Sequence, residues 1–89
     1  MPTPKTNDAA LLALLQSDPQ AGLARLLDAY GGLIHGVVRR ILPRNPEDAE
    51  ECVADVLVAA WQSAGRLAGE PDRPLQGWLA LTARHIAID

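Results

Sequence analysis

Apolar residues recur at three- and four-residue spacing through most of this chain, a period that predicts helices and not strands. The plainest case runs from Asn45 to Ala64. Ala49, Cys52, Val53, Val56, Leu57, Ala60 and Ala64 build one apolar face, flanked by Trp61. Asn45 suits the N-cap, Pro46 suits the first helical position, and Glu47 and Asp48 put negative charge in the first turn, where the helix dipole favours it. The other face carries Glu47, Glu51, Ala54, Asp55, Val58 and Gln62, acidic at its start and partly apolar further on.

Two helices are predicted before this one. The first is capped by Thr6 or Asn7 and carries Leu11, Leu12, Leu14 and Leu15 to about Gln16. It stops at Ser17-Asp18-Pro19, because a proline disfavours helical geometry in the residue before it. Asp18 then caps a longer helix that starts at Pro19, with Leu23, Leu26, Leu27, Tyr30, Ile34, Val37, Val38, Ile41 and Leu42 in phase. Gly31-Gly32 falls inside that pattern and reads as a close helix–helix contact or a bend; the unchanged phase beyond it predicts continuity. Arg39, Arg40 and Arg44 gather at its C-terminal end. After Ala64, the stretch GRLAGEPDRP reads as a loop, and a last helix begins near Pro74. Leu75, Trp78, Leu79, Thr82, Ala83 and Ile86 share its inward face, which leaves Leu81 and Ile88 outward. Met1 to Thr6 reads as a disordered lead-in, and the rest as one domain from residue 7 to residue 89. The last helix is still in phase at Asp89 without a stop signal, which predicts that the chain is a fragment of a longer one.

Composition sharpens the fold class. The chain is 48% hydrophobic but only 3% aromatic, with no Phe, so its core is built from Leu, Val, Ile and Ala. That suits an all-α, compact bundle of about four helices, with Cys52, Val53, Val56, Leu57, Trp61, Leu79 and Ile86 in the core. No apolar run reaches the roughly 18–20 residues that span a bilayer, and no basic-then-apolar leader opens the chain, so a cytoplasmic, membrane-free protein is expected.

Net charge is −3, the wrong sign for a free-standing nucleic-acid binder. Its distribution says more. Residues 46–65 carry five anions and no cation, whereas residues 1–45 carry five cations against three anions. A wholly acidic helix face fits a basic protein partner as readily as solvent.

Catalytic chemistry finds little support. His35 and His85 lie far apart in sequence, and neither has ligands at metal spacing; His85 and Asp89 alone make no site. Cys52 faces inward with no histidine near, and Glu50 and Glu51 splay to different sides of their helix. Gly31-Gly32 lacks the flanks of a phosphate loop. A non-enzyme without cofactor or metal is expected.

Two blocks in order carry a resemblance. DAEECVADVLVAAW followed by LQGWLALTARHIAID resembles region 2 of bacterial sigma-70 factors, and most closely the small extracytoplasmic-function type. Asp48, Ala49, Glu50, Val53, Ala60 and Trp61 match the first block of the family's pattern, and Trp78, Leu79, Ala83, Arg84, Ile88 and Asp89 the second. The likeness extends from about Leu11 onward. Ala54 stands where the family usually has glutamine, Leu57 where it has phenylalanine, and His85 where asparagine is common.

The resemblance implies a transcription initiation domain with two binding surfaces. Glu47, Glu51, Ala54, Asp55, Val58 and Gln62 would dock on the clamp helices, a basic coiled coil of the RNA polymerase β′ subunit. Arg66, Arg73, Arg84 and His85, on the Arg66–Arg73 loop and the last helix, would hold the non-template strand of an opened promoter −10 element. Trp78 is inward by phase and belongs to the core. An anti-sigma factor is a further partner that the resemblance allows. The competing reading is a helical dimerisation module that uses Leu81 and Ile88 and never touches DNA.

Overall fold

The computed structural model describes residues 7–70 and 72–88, and all regular structure in them is helical. The helices are α1 (Asp8–Ser17), α2 (Pro19–Ile41), α3 (Pro46–Ala68) and α4 (Leu75–Ile88). The expected lead-in at residues 1–6 lies outside the described residues. No helix is long and apolar enough to cross a membrane.

The helix starts follow from local chemistry. The Asn7 side chain accepts from the Ala10 amide at 3.1 Å, and Asp18 accepts from the Ala21 amide at 3.3 Å. Asn45 stands at the N-cap of α3, but its side chain makes no capping bond; only its carbonyl takes the Ala49 amide, at 2.9 Å. The dipole at this end is met instead by Glu47 and Asp48 in the first turn. At the other end α3 runs to Ala68, past the expected stop at Ala64. Leu67 is the reason: it continues the buried stripe of Ala60 and Ala64, so burial holds in a helix the residues whose composition suggested a loop.

Helices α2 and α3 are the long pair, each of 23 residues, or about 35 Å of axis. They pack on each other, and α1 and α4 each lie against both. Leu15, Leu26, Ile34, Val38, Val56 and Leu79 are fully buried at the centre. Ala49, Ala60, Ala64, Ala83 and Ala87 are buried with them, and among the described residues no polar or charged one is. Of the expected core, Val53, Val56 and Leu79 are buried, while Cys52, Leu57 and Ile86 are half-buried against it. Trp61 is not in the core: 43% of it is exposed. It lies at the edge of the apolar arc of α3, in line with the exposed Ala54 and Val58.

Helix α2 is continuous through Gly31-Gly32, and that pair is not the close contact. A Cβ on Gly31 would meet only the Leu27 side chain of its own helix, and one on Gly32 would meet nothing within 4 Å. The contact is at Gly22, where a Cβ would stand 2.6 Å from the Leu15 Cα and 2.7 Å from its backbone nitrogen. Backbone there cannot yield as a side-chain tip would. A second tie between the same helices is the Tyr30 hydroxyl, which donates to Asp8 Oδ1 at 2.6 Å.

The two glycines should therefore respond with opposite signs. Gly22→Ala is expected to destabilise by about 1–3 kcal/mol, because overpacking outweighs the gain in helix propensity. Gly32→Ala is expected to stabilise by roughly 0.5–1 kcal/mol. Urea unfolding of the two variants measures both; equal effects would remove the close approach from the account of α1 and α2.

Candidate functional site

Helix α3 divides its circumference between two tasks. Ala49, Val53, Val56, Ala60, Ala64 and Leu67 take the inward side. All six outward residues expected for protein docking, Glu47, Glu51, Ala54, Asp55, Val58 and Gln62, are exposed. Glu47, Glu51 and Asp55 follow at four-residue spacing, so like charges line up along one edge. None of them is in an ion pair among the described residues. This edge is left to water or to a partner.

Trp61 joins that face, and sequence reasoning placed it wrongly. Ala54, Val58 and Trp61 fall at i, i+4 and i+7, one apolar stripe beside the carboxylates. Val58 and Trp61 are each 43% exposed. The spacing was the available signal, because it sets Trp61 in line with two residues already assigned outward.

Cys52 borders the carboxylates from the other side. It is half-buried in a shallow recess with Leu42, Ile86 and Ala87. Burial pushes its thiol above the ordinary value, and the charges of Asp55, Asp48 and Glu51 push the same way. Such a thiol holds its proton at neutral pH and makes a poor nucleophile. No group of three or more metal-ligating side chains occurs among the described residues.

The four residues expected to bind DNA are all exposed but are spread over three places. Arg66 is in the last turn of α3, not in the loop, where its charge suits the helix C-terminus. The connection proper runs from residue 69 to residue 74. Arg73 lies in it and pairs with Glu70 at 3.4 Å, an exposed contact of little energy. Arg84 and His85 are neighbours on α4, and Arg84 lines a groove together with Arg40 of α2. Trp78 is half-buried against the core, on the inward side its phase indicates.

Residues 26–89 match the family described as Sigma-70 region 2. The matched span takes in most of α2 and all described residues of α3 and α4, and leaves α1 outside. No curated protein and no solved structure matches the chain. Region 2 is a non-enzymatic module that binds the core of RNA polymerase and recognises and melts the −10 promoter element. With more than two thirds of its length and both of its tryptophans inside the match, the chain belongs to the sigma-70 region 2 family.

Proposed function

We propose that the outward face of α3 is the surface by which this region 2 domain docks on the clamp helices of the β′ subunit. The observation that carries the reading is a row of three unpaired carboxylates, Glu47, Glu51 and Asp55, beside an exposed apolar stripe. Charge steers the encounter with a basic coiled coil, and the stripe supplies contact that excludes water. Trp61 is the anchor of that stripe, since a large ring already in place at the surface binds with little ordering cost.

The DNA surface is the 69–74 connection together with Arg66, Arg84 and His85. Groups spread over three places suit a strand that passes over several places better than a duplex seated in one groove. The base pocket belongs near His85, and the arginines contact phosphate. Glu70 and Asp72 lie on the same connection and keep affinity low without polymerase. The pattern of the two tryptophan-bearing blocks supports the extracytoplasmic-function type. We place the protein in the cytoplasm with the polymerase, with an anti-sigma factor as a further partner.

Two measurements test these surfaces. Reversing Glu51 and Asp55 to Lys should leave the melting temperature nearly unchanged and weaken binding to the clamp helices by roughly tenfold or more, with affinity in the unmodified protein falling as salt rises. Trp61→Ala should cost more than about 1 kcal/mol of the same binding. Unchanged affinity in the charge-reversed variant would reject docking through this face. For DNA, fluorescence anisotropy should show a preference for single-stranded non-template −10 sequence over duplex. There, Arg84→Ala should weaken all sequences alike, and His85→Ala should alter sequence preference. Equal binding of −10 and scrambled strands, with polymerase core present, would reject the assignment.

A further inference from the structure

The two binding surfaces leave most of one groove unused. Val37, Arg40 and Ile41 of α2 line it together with Leu81, Arg84 and Ile88 of α4, around an open volume of about 490 Å³. Leu81 is 48% exposed and Ile88 62%, so its apolar area meets water. The volume lies in the range of small-molecule sites, which join an apolar lining to a few polar groups that fix orientation. Here those polar groups are Arg40 and Arg84, and neither is in an ion pair among the described residues.

We propose that the groove binds a small amphipathic anion, a carboxylate on a straight alkyl chain, taken from solution. A guanidinium fork matches a carboxylate in shape as well as charge, and two forks from different helices share one groove here. The alkyl chain covers the aliphatic lining that water now touches. From Leu81 to Ile88 the helix advances roughly 10 Å, two turns, which gives room for a chain of medium length.

Other occupants fit less well. Ile88 also borders the recess that holds Asp48, Glu51 and Asp55. An anionic bilayer laid across this side would meet those acids as well as the arginines, and a flat surface does not fill a groove. A second copy of the chain, related by a two-fold axis along the groove, would bring arginine against arginine. A nucleic-acid strand would find phosphate contacts but no ring on which to stack a base, since among the described residues the apolar lining is aliphatic.

The probe is decanoate, titrated calorimetrically into the whole chain below its micellar concentration. Decyltrimethylammonium carries a chain of similar length on a cation, and acetate carries the head without the chain. Decanoate should bind at least about tenfold more tightly than either. Arg40→Gln should weaken decanoate by about tenfold. Arg40 is the residue to change because Arg84 is assigned to DNA as well, so the groove and the DNA surface can fail separately. Leu81→Asp should abolish binding with an unchanged melting temperature, because Leu81 is exposed. Leu27→Asp, at an exposed leucine that does not line the groove, should bind as the unmodified protein does. Decanoate bound no better than its cationic counterpart or than acetate overturns the proposal. So does binding indifferent to Arg40→Gln or Leu81→Asp, or a loss in Leu27→Asp equal to that in Leu81→Asp. Binding to phosphatidylglycerol vesicles without binding of free decanoate overturns it in favour of a membrane surface.

Discussion

Shape alone holds the interior together. Among the described residues no buried side chain carries a polar atom or a charge, and no ring is fully buried. Branched aliphatic residues and alanines must therefore exclude water by fit, which requires the helices to approach closely. Gly22 against the backbone at Leu15 and the fully buried Ala60, Ala64 and Ala83 are expressions of that one requirement. The same requirement moves larger residues outward. The indole of Trp61 stands at the edge of the apolar arc, 43% exposed.

An interior without charge leaves every ionic group free for the outside, and the fold keeps the signs apart. Carboxylates crowd the beginning and outward edge of α3, while Arg39 and Arg40 close α2 and Arg84 stands on α4. The single ion pair among the described residues is Arg73–Glu70. With one exposed ion pair among the described residues, charge contributes little to folding. The acidic edge has the charge to meet a basic partner, and Arg40 and Arg84, which line one groove, the charge to meet an anion. The two surfaces need not compete, because they lie on different helices.

Where the sequence was legible, local chemistry and periodicity agreed. The outward residues of α3 and the inward Trp78 followed from helical phase once the Asn45-Pro46 start was placed. The start itself holds even though the Asn45 side chain makes no capping bond, because the proline and the two acids suffice. Misreadings arose where one signal hid another. Gly65 and Gly69 made GRLAG look like loop and masked Leu67, which lies three residues beyond Ala64 and seven beyond Ala60. Trp61 was assigned inward by its hydrophobicity, although its spacing from Ala54 and Val58 argued the reverse. Gly22 gave no hint, since only the arriving backbone of α1 distinguishes it from Gly32. That Arg40 and Arg84 line one groove was equally hidden, for they come from helices distant in the chain.

The two tryptophans, placed as they are, make the domain its own optical instrument. Trp61 looks into water, and Trp78 is half-covered by the aliphatic core. Their emissions therefore differ in colour and in access to dissolved quenchers without any label. A partner that covers α3 would shift the first toward the blue and leave the second as it was. Loosening of the bundle would redden the second more than the first. Assembly and unfolding thus write to separate channels of one spectrum.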